Sequence, residues 1–260
     1  MALQNETGHA KNVANLLKLN QTIATFGVTY NPGNATITAA ALATLYTTAN
    51  TNLLTVNTTF NSWKNATNSR EMAFAPLDQL STKLLGALQS TAAPKQTVDD
   101  MVYLVRKMRG DGKLTKADAG KNNNQTQAIP NPQPVPEEDN SKSTSQRSYD
   151  NRLQHLAKII LLLQSTPGYA PNEAVLQIFN LQTLLNNLTA LNNAANTSYA
   201  NLNAARIARN LTFYAAETGM LDRARKVKAY VKSLYGANSQ QFAAVNAIKF
   251  VRVVSRKKAK

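Results

Sequence analysis

Positions 42, 45, 49, 52, 56, 60, 63, 67, 70 and 74 advance by steps of three or four, and most are apolar: Leu42, Leu45, Ala49, Val56, Phe60, Trp63 and Phe74. That spacing lays a single stripe along an α-helix. Positions 181, 184, 188, 191, 195, 199, 202, 206, 209 and 213 repeat the stripe as Leu, Leu, Leu, Leu, Ala, Tyr, Leu, Arg, Arg and Phe. Each stripe predicts a helix of about forty residues, about 60 Å long at 1.5 Å per residue. A shorter helix is predicted ahead of each, over 10–26 and 149–165. Between short and long helix lie Gly27 and Tyr30-Asn31-Pro32-Gly33 in one case, and Pro167-Gly168-Tyr169-Ala170-Pro171 in the other. Proline cannot donate within a helix, so these segments are turns. Pro76 opens a predicted helix over 77–90 and Pro94 one over 95–109. The second half continues with 218–235, a break at Gly236-Ala237-Asn238-Ser239 and a helix from 240.

The two halves are similar to each other. With residue 12 set on residue 151 and no gap as far as Phe74 on Phe213, 13 of 63 positions are identical. Among them are Tyr30/Tyr169, Pro32/Pro171, Arg70/Arg209 and Phe74/Phe213, residue types that compositional bias toward Ala, Asn, Thr and Leu does not supply. A duplicated helical unit accounts for them. Between the copies, Asn122-Asn123-Asn124-Gln125 and Pro130-Asn131-Pro132-Gln133-Pro134-Val135-Pro136 offer little to bury and repeatedly break helices, the composition of a flexible linker. The expected architecture is all-α: two tandem copies of a long-helix bundle unit, about four helices each. The expected boundaries are 1–110 for the first unit, 111–148 for the linker, 149–248 for the second unit and 249–260 for a basic C-terminal tail.

Composition narrows the chemistry. Cysteine is absent, so disulfides and thiolate sites are excluded. His9 and His155 stand alone, outside any metal-ligand spacing, and neither reads as a ligand. Asp99-Asp100 sits in a first helical turn, where carboxylates suit the dipole, and Glu137-Glu138-Asp139 lies in the linker. No phosphate-binding glycine loop occurs. These readings predict no catalytic residues, no metal and no cofactor. Arg70 and Arg209 fall on the apolar stripe at matching positions, with Asp78 and Glu217 matching just beyond the helix ends. Either the arginines line an anion pocket or, as the duplication of both members favours, they form internal ion pairs Arg70–Asp78 and Arg209–Glu217. The apolar run Ile159 to Leu163 is far short of the roughly 20 residues a membrane span needs. The first nine residues lack the basic and apolar regions of a secretory signal, so a cytoplasmic location is expected.

Charge changes the picture most. The net charge is +15, a field that attracts polyanions. Thirteen basic residues lie after position 205, eleven of them in two clusters. One comprises Arg223, Arg225, Lys226, Lys228 and Lys232; the other Lys249, Arg252, Arg256, Lys257, Lys258 and Lys260. Arg225, Lys228 and Lys232 share a helical side, while Ala224, Val227, Val231 and Leu234 are expected to face the core. Such a surface suits phosphate contacts that do not read sequence.

Gly8-His9-Ala10-Lys11-Asn12-Val13-Ala14-Asn15, the Tyr30-Asn31-Pro32 turn, Ala205-Arg206-Ile207-Ala208-Arg209-Asn210 and Tyr230-Val231-Lys232-Ser233 resemble a family of uncharacterised bacterial proteins of similar length. The resemblance implies a bacterial protein. It carries no established activity and no site residues. The leading expectation is a non-enzymatic protein that binds nucleic acid, DNA or RNA, through its second unit and basic tail. The alternative is a scaffold that contacts protein partners or copies of itself through Asn- and Thr-rich helix faces.

Overall fold

The computed structural model describes residues 3–110 and 147–253, with side chains from residue 8 onward. The described residues are all-α and contain no strand. The helices are α1 (Leu3–Ala24), α2 (Ala39–Phe74), α3 (Leu77–Gln89), α4 (Lys95–Arg109), α5 (Tyr149–Ser165), α6 (Ile178–Tyr214), α7 (Met220–Tyr235) and α8 (Gln240–Ala247). No helix among the described residues is long and apolar enough to cross a membrane. Most of the linker expected over 111–148 lies outside the described residues.

Local chemistry accounts for the ends. Ser148 accepts from the Asn151 N–H at the start of α5, and Ser239 from the Phe242 N–H at the start of α8. Asp78 occupies the first turn of α3, and Arg106, Lys107 and Arg109 the last turn of α4, each sign at the end the helix dipole favours. Gly110 closes α4 in the left-handed region at φ 73°, which a side chain would strain. On the low-charge surface of α2 the hydroxyls are satisfied locally: Thr44, Thr48, Thr55 and Thr58 donate to carbonyls four residues back.

Several features recur at the register that sets residue 12 on residue 151. Short 3₁₀ turns occupy Ala35–Ile37 and Ala174–Leu176, and α2 and α6 begin at matching residues. The Tyr30 hydroxyl donates to the Ile37 carbonyl at 2.7 Å, and the Tyr169 hydroxyl to the Leu176 carbonyl at 2.9 Å. The first helices, however, slip by one residue. His9 lies edge-on to Phe213 (5.3 Å, 75°) as Tyr149 lies edge-on to Phe74 (4.8 Å, 80°). Buried Leu16, Leu19 and Ile23 accordingly correspond to Leu156, Ile159 and Leu163. The second connection is one residue shorter, and an ungapped alignment misses this.

The packing units differ from the expected boundaries. One compact unit is Met1–Asn65 together with Asn196–Lys260; the other is Ala66–Ala195. The cause is the length of α2 and α6, each of which supplies core residues to both. In the first unit, Leu42, Leu45, Ala49 and Leu53 of α2 and Phe213 of α6 join Val13, Leu16, Leu19 and Ile23 of α1. Met220, Ala224, Val227 and Val231 of α7, with Val245 of α8, complete that core. Val56, Leu202 and Ala205 form a smaller cluster flanked by Phe60 and Trp63. In the second unit, Phe74 of α2 and Leu181 and Leu188 of α6 pack with α3, α4 and α5 through Leu84, Leu88, Met101, Val105, Leu156 and Ile159. Along the long helices the buried row departs locally from the expected stripe: Leu53 is buried, while the Asn52 amide donates to the Thr212 hydroxyl at 2.8 Å.

Candidate functional site

Each of the basic side chains singled out on α7 now has a defined place. Ala224, Val227 and Val231 are buried as the periodicity predicts, but Leu234 is 38% exposed. At that end of the helix Tyr235 turns inward instead, against Phe26 at 5.3 Å. Arg225 is exposed and bridges to Asp222 at 2.9 Å. The Lys226 ammonium donates to the Glu217 carbonyl at 3.2 Å, and Lys232 lies 6.0 Å over the Phe242 ring. Arg223 is half-buried, its Nε enclosed without a hydrogen-bond partner. Lys228 departs from the expectation. Its Nζ donates to the carbonyls of Ile248 (2.5 Å) and Asn246 (3.4 Å), closing the end of α8. Burial, and next the nearby Lys249, hold its pKa below the ordinary lysine value. Its ammonium is engaged by these carbonyls and Lys228 is half-buried, whereas Arg225 and Lys232 on the same side of α7 are exposed.

The segment expected to begin a tail is docked on α1. Asn12 pairs with the Val251 backbone twice: its Nδ2 donates to the carbonyl at 2.7 Å and its Oδ1 accepts the N–H at 3.1 Å. Asn15 Nδ2 donates to the Lys249 carbonyl at 2.6 Å, and Tyr214 Oη accepts the Val253 N–H at 3.2 Å. A Cβ on Gly8 would stand 2.8 Å from Val253 Cγ2, so a side chain there would displace Val253 from its seat. The opening motif Gly8–Asn15, which sequence reasoning met only as a resemblance, is thus the seat of residues 249–253. The signal was available in the pair of side-chain amides one turn apart, but nothing in the sequence named their partner. Lys11 and Lys18 flank Asn15 on the same face of α1, by steps of four and three, and both are exposed. Lys249, held by Asn15, therefore joins them. Arg252 lies 5.3 Å over the Tyr214 ring. Arg256, Lys257, Lys258 and Lys260 fall outside the described residues.

Charge divides between the packing units more sharply than between the sequence repeats. Residues 1–65 and 196–260 contain sixteen basic and three acidic side chains, a net +13; residues 66–195 contain thirteen and eleven, a net +2.

Arg70 and Asp78, matched by sequence, are each engaged by other partners. Arg70 Nη1 donates to Asn192 Oδ1 at 3.0 Å, and its guanidinium covers the Tyr149 ring at 4.0 Å. Asn192 in turn donates to Asp150 at 2.7 Å. Asp78 pairs instead with Arg152, also at 2.7 Å. Arg109 Nη2 donates to the Asp78 carbonyl at 2.9 Å and its Nε to the Ser81 hydroxyl at 2.9 Å, with a further bond to Thr82. Arg209 is buried, its guanidinium on the Asn210 side chain at 2.9 Å. Glu217 sits at φ 63° with its N–H on Asp222. The matching of Glu217 with Asp78 fails because Met220 takes the core position that Leu77 takes. Glu217 therefore precedes its helix, whereas Asp78 lies inside one.

His9 is buried against Phe213 and Tyr214. His155 is buried with Nδ1 unpartnered; burial, then Lys158 and Lys107, hold its pKa below the ordinary histidine value. Asp99 forms an exposed pair with Lys95 at 2.6 Å. Among the described residues no group of His, Asp and Glu is arranged to hold a metal ion. Compared with known proteins, the chain matches no family model, no curated protein and no solved structure.

Proposed function

We propose that this protein binds nucleic acid, or a polyanion of similar charge density, without catalysis and without reading sequence. The binding unit is residues 1–65 with 196–260. The observation that carries this reading is the concentration of +13 of the net charge in that unit, with Lys11, Lys18, Lys249 and Arg252 brought to one region by the docking of residues 249–253 on α1. Lysine and arginine there meet phosphates and release condensed counterions, so affinity falls steeply with salt. The test is titration of the full chain with random duplex DNA and with RNA between about 50 and about 200 mM salt, where several phosphate contacts cost at least roughly tenfold in affinity. A flat salt response, or no binding at the lower salt, overturns the proposal.

A scaffold reading draws its support from a different observation. Ile207 and Leu211, one turn apart on α6, are each 61% exposed, an apolar pair on an otherwise Asn- and Ala-rich helix. Sedimentation of the protein alone tests it: self-association that Ile207→Gln with Leu211→Gln removes supports the scaffold, and a monomer at all concentrations removes self-assembly from consideration.

A further inference from the structure

The two packing units place the same tyrosine turn against the same helix, but they fill the space beside it differently. On α7 the buried residues are Met220, Leu221, Ala224, Val227 and Val231; on α3 they are Leu77, Ser81, Leu84 and Leu88, which have the spacing of the α7 set without Leu221. In that register Tyr230 corresponds to Ala87. In the first unit the Tyr230 ring stands edge-on to Tyr30 (5.3 Å, 83°), and Tyr30 is left 8% exposed. In the second unit Tyr169 is anchored like Tyr30, through its hydroxyl to the carbonyl seven residues on, yet across from it stands a methyl group. A cavity of about 690 Å³ occupies the difference, lined by Ala87 and Tyr169 with Lys83, Ser90, Asn172 and Glu173. That volume lies in the range of small-molecule sites, roughly 300–1,000 Å³.

We propose that this cavity binds a small molecule carrying one aromatic ring and a polar arm, its ring standing to Tyr169 as the Tyr230 ring stands to Tyr30. The first unit supplies the template: an edge-to-face partner is the arrangement aromatic quadrupoles favour, and the protein makes that contact internally there. Tyr169 is pre-set for it, because its hydroxyl bond to Leu176 fixes the ring before anything binds. The arm has a choice of partners at the wall, with a cation at Lys83, a carboxylate at Glu173, a hydroxyl at Ser90 and an amide at Asn172. A ring alone fills only part of the space, which is why an arm belongs to the description.

The experiment is an NMR titration of the full chain with p-cresol, tyramine and 3-(4-hydroxyphenyl)propionate, with 4-methylcyclohexanol as a control of similar size lacking a π face. The expected result is saturable shifts at Tyr169 and Ala87 for the aromatic probes, and affinity at least about tenfold weaker for the cyclohexanol, a preference worth one decade in Kd. Ala87→Tyr supplies the missing ring in cis and abolishes binding. Tyr169→Leu keeps bulk but removes the ring, and also abolishes it. Tyr230→Ala opens a second site of the same kind against Tyr30. Absence of saturable shifts overturns the proposal, as does equal binding of the cyclohexanol. So does binding that survives Tyr169→Leu, a variant that serves even where Ala87→Tyr does not fold. None of these outcomes depends on nucleic-acid affinity.

Discussion

The unit formed by 1–65 with 196–260 and the unit formed by 66–195 are assembled from elements of the same kinds. Each has a short helix, the first stretch of one long helix, the last stretch of the other and two further helices. What they retain in common is structural: the edge-on ring pairs His9–Phe213 and Tyr149–Phe74, and the tyrosine hydroxyl bonds to Ile37 and Leu176. What they do not share is chemistry. One carries a net +13 and fills the space beside its tyrosine with Tyr230; the other carries +2 and leaves a cavity beside Ala87. The contrast teaches that the contacts the two units share are those that hold the fold, while their differences are where the two proposals above put binding.

The largest effect tests the shared part. Phe74→Ala and Phe213→Ala each empty a buried ring site and each cost about 3–5 kcal/mol. Chemical denaturation should give similar losses for both, and a cost near zero for either would break the equivalence. Next is the charge contrast. Replacing Lys11, Lys18, Lys249 and Arg252 together by Gln should lower DNA affinity at least about tenfold and reduce the salt slope by up to one unit per lost phosphate contact. Replacing four exposed cations of the other unit, among them Lys83 and Lys95, should change it less than about threefold; equal losses would refute a one-sided surface. Third, Asn12→Ala removes both hydrogen bonds to Val251 and costs about 1–3 kcal/mol. Hydrogen exchange should then speed up at Val251 while amides in 66–195 keep their protection.

The smallest effect concerns pH. Burial, then Glu173, pushes the Tyr169 phenol up to about 12, and burial, then Tyr230, pushes Tyr30 higher still. The folded state thus holds protons that the unfolded chain gives up near pH 10, so the stabilisation is complete below pH 10 and is lost as pH rises toward each folded value. Tyr169→Phe and Tyr30→Phe should each flatten the alkaline fall in urea midpoint, Tyr30→Phe more, since its ring is the more deeply covered.

Periodicity made the helices readable because each must bury a face. α4 and α5 were predicted with the ends they have, and the long helices to within a few residues. The assembly was not readable. Nothing in the spacing of α2 says that Leu53 and Phe74 serve different cores, because one apolar stripe looks the same whether one set of partners covers it or two. The basic cluster was visible in composition, but composition does not separate Lys228, occupied by two carbonyls, from Lys249, which is exposed. Asp78 was paired by sequence position with Arg70, and distance gave it to Arg152. The cavity was out of reach for a related reason: Ala87 is unremarkable until α3 and α7 are set in the same register.

The pairing of Asn12 with Val251 joins residues 239 apart, and it bears on the order in which the protein is made. Synthesis runs from the N-terminus, and folding during synthesis can use only what has emerged. A nascent chain that has reached residue 195 already holds every segment of the 66–195 unit, while residues 1–65 still lack all of their packing partners in 196–260. The near-neutral unit therefore has the means to close first, and the strongly basic one waits for the last quarter of the chain. Translation that stops before residue 249 leaves the seat on α1 unfilled, and a polypeptide that has reached only residue 195 still lacks most of the cationic side chains of that unit.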